Sequence, residues 1–113
     1  MPAYVLVEID VQDAAAFERY KALAPASIAH YGGRYLVRGG APTSLEGSWT
    51  GRRLAILEFA NAEDARTWWA SPEYAEAKAL RQSCANTDML LLEGFQPTGP
   101  RQVSGVASTD PST

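Results

Sequence analysis

The order of strand-like and helix-like segments constrains this 113-residue chain most strongly. Four short segments rich in β-branched and other apolar residues predict strands, and two longer segments with helical spacing of apolar residues predict helices. The predicted strands are Tyr4 to Asp10, Arg34 to Arg38, Arg53 to Phe59 and Met89 to Phe95. The order βαββαβ is the signature of an α+β, ferredoxin-like fold. Because such crossovers are right-handed, two helices cover one face of a four-stranded antiparallel sheet with spatial order 4-1-3-2.

Local signals place the ends of the first helix. Asp13 is a typical N-cap, because its carboxylate accepts hydrogen bonds from the free N–H groups of the first turn. Pro25 lies within the helical pattern and predicts either a kink or the start of a second helix, since proline has no N–H and crowds the preceding turn. Gly32 and Gly33 should end the helix by admitting the left-handed conformation.

The second helical segment carries two start signals. Asn61 followed by Asp64 resembles a capping box. Residues 71–73 (Ser-Pro-Glu) restart the helix, with serine as cap and proline at the first helical position, and the helix should run to about Cys84. The loop over residues 39–51 is longer than a tight hairpin needs, and we expect that it could act as a lid.

Composition bounds the domain organisation and the partners. We expect one domain over residues 1–96 and a disordered, dispensable tail over 97–113, which is rich in Pro, Gly, Ser and Thr. The net charge of −3 provides no basic surface, so we expect no nucleic-acid partner. A signal peptide, a membrane-spanning stretch and a second cysteine to pair with Cys84 are not evident, so we expect a cytoplasmic protein without a membrane partner.

Alternation along the strands separates the sheet into two faces. The side expected to lie under the helices comprises Val5, Val7, Ile9, Tyr35, Val37, Ala55, Leu57, Phe59, Leu90, Leu92 and Gly94. The other side would leave bare the apolar residues Leu6, Leu36, Leu54, Ile56, Met89 and Leu91. Such a patch favours association, and we expect a homodimer packed sheet to sheet.

Charged residues gather at both ends of this second face in the predicted arrangement. One end would bring together Tyr4, Arg34, Glu58 and Glu93, and the other Glu8, Arg38 and either Arg52 or Arg53. Carboxylates beside an arginine and a phenol can serve as acid-base groups. The same pairs can equally be structural and satisfy one another across a dimer, and the sequence leaves both interpretations open.

Several stretches resemble an uncharacterised family, the domain of unknown function 1330. They include Y-G-G-R-Y-L-V-R-G-G (31–40), W-W-A-S-P-E-Y (68–74) and L-L-L-E-G (90–94), and the resemblance covers nearly all of residues 3–95. It implies a dimeric α/β barrel, in which two sheets close around a shared interior. It implies no established reaction or cofactor. Superfamily relatives include small monooxygenases, isomerases and haem-degrading enzymes, which is an analogy of fold alone.

The leading functional hypothesis is a small-molecule-binding protein that uses a pocket between helices and sheet near Arg34, Glu58 and Tyr4, with catalysis left open. Its candidate catalytic residues are Glu58 and Tyr4, and its candidate ligand-binding residues are Arg34, Trp69, Tyr74 and Glu93. We expect no cofactor and no metal, because the sequence has no residues with the spacing of metal ligands, no phosphate loop and no dinucleotide fingerprint. The alternative is a non-catalytic dimerisation module in which every charge pair is structural. His30 is interpreted as a helix-end residue and Cys84 as an inert core residue.

Overall fold

A computed structural model describes residues 1–49 and 51–95, which form a four-stranded antiparallel sheet and three helices. The elements are β1 (Ala3–Val11), α1 (Ala14–His30), β2 (Arg34–Gly40), β3 (Arg53–Phe59), α2 (Ala62–Trp69), α3 (Pro72–Cys84) and β4 (Ala85–Glu93). The strand order β2-β3-β1-β4 confirms the predicted ferredoxin-like α+β topology. The expected tail and its boundary at residue 96 lie outside the described residues. None of the described helices is long and apolar enough to cross a membrane.

The first helix begins and ends at the residues that the sequence indicates. The Asp13 side chain accepts a hydrogen bond from the Ala16 backbone N–H, which satisfies one of the free donors of the first turn. At the other end, Gly32 has a φ of 77°, a left-handed conformation that glycine adopts without steric cost. These two signals are local, so they could be identified without tertiary information.

Pro25 lies inside α1 without ending it, so the prediction of a second helix start is wrong. Proline has no N–H, and the carbonyl of Lys21, four residues earlier, therefore loses its helical donor. Arg38 of β2 fills the gap, because its Nη2 donates to Lys21 O at 2.9 Å. A side chain from the neighbouring strand thus satisfies the carbonyl that the proline leaves free.

The second helical segment consists of two helices. Asn61 caps α2 by accepting from the Asp64 N–H at 2.7 Å, and Ser71 caps α3 by accepting from the Tyr74 N–H at 3.2 Å. β4 begins at Ala85, four residues earlier than predicted. Residues 85–88 (Ala-Asn-Thr-Asp) have weak strand propensity, but pairing with the far end of β1 makes them a strand.

The face assignment of β4 is wrong by one residue. Leu91 pairs with Val5 and Met89 with Val7, and directly paired residues lie on the same face. Met89 and Leu91 therefore pack on the helix side, while Leu90 and Leu92 are exposed on the other side. Alternation alone could not decide this, because a run of three leucines fits either register.

A register shift in β2 reverses the predicted faces of Val37 and Arg38. Val37, expected under the helices, pairs with Ile56 and points away from them. Arg38, expected on the opposite face, reaches back to α1 and lies with its guanidinium 4.7 Å from the Tyr35 ring centre. A bulge of this kind adds one residue to a strand and changes which side chains face the core.

The side of the sheet away from the helices is called the open face. Its apolar residues are Tyr4, Leu6, Leu36, Val37, Leu54, Ile56, Leu90 and Leu92. Leu90 is 53% exposed and Leu92 is 51% exposed, so the face holds an apolar patch that the described part of the chain does not cover.

The core between sheet and helices is aromatic. Trp68 is 1% exposed and packs with its ring centre 5.5 Å from that of Phe59 and 4.2 Å from that of Tyr74. Its Nε1 donates to Ser27 Oγ at 3.1 Å, which ties α2 to α1. Each such aromatic pair contributes about 0.5–1.5 kcal/mol beyond area burial, so this cluster holds the three helices on the sheet.

We predict that Gly33→Ala destabilises the domain. A Cβ at this position would lie 2.5 Å from Phe59 Cε2 and 2.9 Å from Ile28 Cγ2, and such overpacking costs about 1–3 kcal/mol. Gly40→Ala is the matched control, because nothing lies within 4 Å of its Cβ position. Urea unfolding of both variants checks this, and equal stability of the two would show that Gly33 does not need its close approach to Phe59.

Candidate functional site

A partly open cavity of about 380 Å³ lies between α1 and the helix side of the sheet. We call it the α1 cavity. Val7, Ala55 and Leu57 of the sheet line it, and Phe17 and Tyr20 line it from α1. Its wall is therefore mostly apolar, and no acidic residue among the described ones contributes to it.

Cationic side chains stand at the rim of the α1 cavity. Lys21 is paired with Glu18 at 3.1 Å, and Arg38 is held by its hydrogen bond to the Lys21 carbonyl. Arg53 lines the same cavity and is exposed, and it makes no ion pair with any residue that the structure describes. The rim thus offers guanidinium groups to an anion, above a cavity that accepts apolar groups.

A hydrogen-bonded chain of three buried side chains runs from this cavity towards α3. The Tyr20 and Tyr74 hydroxyls lie 3.0 Å apart, and Arg81 Nε donates to the Tyr74 hydroxyl at 3.2 Å. Burial, with the neighbouring Tyr74 as a smaller cause, raises the pKa of Tyr20 far above its ordinary value. Tyr20 therefore stays a neutral hydroxyl at physiological pH, and the chain carries the single charge of Arg81.

A second and larger recess, of about 910 Å³, runs beside β4 and under α2 and α3. We call it the β4 groove. Arg66, Trp69 and Arg81 line it from the helices, and Thr87 and Leu91 line it from the strand. Trp68 and Met89 line both recesses, so the two lie on either side of these side chains.

The predicted site residues Arg34, Glu58 and Tyr4 come together on the open face, which is the face on which strand alternation placed them. Arg34 Nε donates to Glu58 Oε1 at 2.8 Å, and Tyr4 is the ladder partner of Glu58. The expectation of a pocket between helices and sheet near these residues is wrong in its location, because the α1 cavity lies on the opposite side of the sheet.

The other three predicted ligand-binding residues lie apart from the Arg34–Glu58 pair. Glu93 pairs with Ala3 on the helix side, so the expectation that it joins Arg34 and Tyr4 is wrong. Tyr74 is fully buried in the aromatic core, where its hydroxyl accepts the hydrogen bond from Arg81 Nε. Trp69 is 45% exposed and lines the β4 groove, with Lys78 Nζ 3.7 Å from its ring centre. Their predicted role in ligand binding stays a prediction.

The second predicted charge cluster forms around Arg52. Its Nη1 donates to Glu8 Oε1 at 3.2 Å and to Asp88 Oδ2 at 3.0 Å. The hydrogen bond that Arg52 donates to the Asp88 carboxylate raises the pKa of Arg52 above its ordinary value. Arg38, expected in this cluster, lies on the other side of the sheet because of the bulge in β2.

His30 and Cys84 lie as their structural interpretations predict. His30 is in the last turn of α1, with its Nε2 3.7 Å from Glu73 Oε2. Tyr31 donates to the other oxygen of Glu73 at 2.6 Å, and this hydrogen bond lowers the pKa of Glu73 and raises that of Tyr31. Cys84 is buried, and burial raises the pKa of its thiol, which makes it a poor nucleophile.

Sequence reasoning missed the rim of the α1 cavity for two different reasons. Arg53 is one of the two alternatives that the sequence offers for the cluster on the open face, although alternation with Ala55 and Leu57 places it under the helices. Arg38 carries no such signal, because only pairing with β3 reveals the bulge. The sequence gives no signal for Arg81 either, since its burial depends on the packing of α3.

In the described ranges, no group of three His, Cys, Asp or Glu residues could hold a metal ion.

We predict that Tyr74→Phe destabilises the domain by about 1–3 kcal/mol, because it leaves the buried Arg81 Nε and the Tyr20 hydroxyl without their shared partner. Tyr31→Phe is the matched control. Its hydroxyl is exposed and donates to the solvent-accessible Glu73, so the loss should stay within about 0.5 kcal/mol. Thermal and urea unfolding measure both, and equal losses would contradict a structural role for the chain.

Comparison with solved structures shows the same fold in bacterial proteins. A protein of unknown function from Rhodopseudomonas palustris (RPA0582) has a TM-score of 0.70 and 18% identity, covering 85% of this chain and 84% of that one. A dimeric ferredoxin-like protein of unknown function from Jannaschia sp. CCS1 has a TM-score of 0.63 and 18% identity, covering 83% and 100%. SnoaB, a cofactor-independent oxygenase from Streptomyces nogalater, has a TM-score of 0.60 and 15% identity, covering 85% and 95%.

At such low identity these likenesses show the fold alone. No curated protein matches the chain. A family model does match, over residues 2–95, and this range holds every element of the fold and both recesses. The chain therefore belongs to the family described as the domain of unknown function DUF1330.

Proposed function

We propose that this protein binds a small molecule with an apolar body and an anionic head in the α1 cavity. The observation that carries the proposal is a partly open, mostly apolar cavity without an acidic residue in its described lining, with Arg38 and Arg53 at its rim. The volume of about 380 Å³ lies within the usual range of ligand sites, roughly 300–1,000 Å³.

The charges at the rim favour an anion over a neutral ligand. Arg53 has no carboxylate partner among the described residues, and a ligand carboxylate would supply one. Arg38 is already oriented by Lys21 and Tyr35, so little side-chain entropy is lost when it meets a ligand. The planar fork of arginine suits the two oxygens of a carboxylate.

The fold is shared with the cofactor-independent oxygenase SnoaB and with a putative antibiotic biosynthesis monooxygenase from Caulobacter crescentus. Both are below 25% identical to this chain. The two names accord with a small-molecule role for the fold, and the proposal here is binding.

We also propose that the protein is a homodimer, formed by packing the open faces of two copies into a shared barrel. The open face carries eight apolar side chains, and such a patch favours association. The similar proteins from Jannaschia sp. CCS1 and Bacteroides fragilis are described as dimeric. A second copy covers this patch with the same apolar chemistry.

In such a dimer, Arg34, Glu58 and Tyr4 would lie at the interface and not in the α1 cavity. Arg34 and Glu58 already satisfy each other at 2.8 Å. We infer that they serve the contact between copies, as the interaction-module alternative requires, while the ligand binds elsewhere.

The ligand proposal predicts that octanoate binds more tightly than octanol. Arg53→Gln should weaken octanoate binding roughly tenfold, the loss expected for one hydrogen bond to a charged group, and leave octanol unchanged. Ala55→Leu should weaken both compounds, because it fills the cavity floor. Titration of the full chain, followed by NMR shifts of the Ala55 and Leu57 amides, measures these effects.

Arg19→Gln is the matched control, since Arg19 is exposed on α1 and does not line the cavity. If neither compound shifts the cavity amides, the binding proposal fails. If octanol binds as tightly as octanoate, the cavity takes apolar molecules and the anionic head is wrong.

The dimer proposal predicts that Ile56→Asp dissociates or unfolds the protein, because it buries an unpaired carboxylate in the contact between copies. Leu23→Asp, on an exposed position of α1, should keep the dimer. Native mass spectrometry and light scattering report the mass. A monomeric mass for the unmodified chain at micromolar concentration would rule out the barrel.

A further inference from the structure

We infer that the β4 groove is a second binding site, which takes the carboxylate or phosphate group of a small molecule on the guanidinium of Arg81. This site is distinct from the α1 cavity and its argument does not rest on the function proposed for that cavity.

Arg81 is a buried cation without a counter-ion among the described residues. It is 5% exposed, and its one hydrogen bond to a described residue runs from Nε to the neutral Tyr74 hydroxyl. No described carboxylate lies within ion-pair distance of it. Because a buried charge is costly unless it is paired, the position calls for an anion.

The terminal nitrogens of Arg81 have no hydrogen-bond partner among the described residues. The Nε is held by Tyr74, which leaves the two Nη groups as the free fork of the guanidinium. Among the described residues, Thr87 Oγ1 is the one fully buried side-chain nitrogen or oxygen atom without a hydrogen-bond partner. Neither Nη group of Arg81 is therefore both fully buried and unpartnered. Arg81 lines the groove, so its fork can be reached from that side.

Thr87 gives the second, independent indication. Its Oγ1 is buried and has no hydrogen-bond partner, and the residue lines the same groove from β4. A buried hydroxyl without a partner costs about 1–3 kcal/mol. A rotation about its χ1 angle, which has staggered alternatives, would turn the hydroxyl towards an oxyanion held by Arg81.

The rest of the groove suits an organic anion. Arg66 lines it without an ion pair to any described residue, whereas the carboxylate of Asp88 is already engaged by Arg52. Trp69 exposes its indole beside them, with the Lys78 ammonium over the ring. These groups favour a flat apolar body against Trp69 and an anionic group against Arg81.

The test uses two probes on the full chain: benzoate, a flat carboxylate, and inorganic phosphate, an oxyanion without an apolar body. Binding is followed by NMR shifts of the Thr87 amide and of the Arg81 Nε–H group. We expect Arg81→Gln to weaken binding roughly tenfold or more. Arg81→Lys keeps the charge but not the fork, so its affinity should lie between those of the parent and Arg81→Gln. Benzoate binding alone would identify an aromatic carboxylate as the ligand, and binding of both an oxyanion in general.

Thr87→Val keeps the proposal testable if the Arg81 variants fail to fold. It preserves the shape of the side chain and removes the unpaired hydroxyl, so a purely structural Thr87 predicts equal or higher stability with unchanged binding. The proposal predicts a severalfold loss of affinity with stability retained. Arg19→Gln is the control and should leave groove binding unchanged, because Arg19 is exposed and lines neither recess. Absence of shifts with either probe, or equal binding by Thr87→Val and the parent, would overturn the proposal.

Discussion

The packing of Trp68 between the sheet and the helices is the interaction on which the rest of the structure depends. Its ring contacts Phe59 of β3 and Tyr74 of α3, and its indole N–H donates to Ser27 of α1. Full burial of one such side chain contributes about 1.5–3 kcal/mol, and here it joins every layer of the domain. Because Trp68 also lines both recesses, the same contact sets the wall between the α1 cavity and the β4 groove.

Local backbone chemistry then shapes the rim of the α1 cavity. Pro25 frees the Lys21 carbonyl, and the bulge in β2 turns Arg38 to the side from which it can donate to that carbonyl. Neither feature alone would place a guanidinium at the cavity. Together they hold a cation at its mouth in a fixed position, which is the pre-organisation that a binding site needs.

Four of the arginines fall into two groups that differ in their partners. Arg34 and Arg52, which lie with the open face, are matched by Glu58, Glu8 and Asp88. Arg53 and Arg81, on the helix side, have no carboxylate partner among the described residues. Paired charges suit an interface between copies, whereas unpaired ones next to a recess suit an anionic ligand. This division, more than any single residue, is what separates the proposed dimer contact from the proposed ligand sites.

By itself, the sequence determined the features that depend on nearby residues. Asp13, Asn61 and Ser71 cap the helices that they were predicted to cap, Gly32 ends α1, and the order of elements gives the sheet topology. The apolar open face was also predicted as a feature, although not all of its members.

Only the tertiary structure decided which way β4 and β2 face and where the unpaired arginines lie. The three leucines 90–92 fit either register, and the choice comes from pairing with Val5 and Val7. The bulge that moves Arg38 exists only against β3, and Arg81 becomes buried only when α3 packs on the core. Caps and turns follow from interactions a few residues apart, whereas faces, bulges and pockets follow from contacts between segments that are distant in the chain.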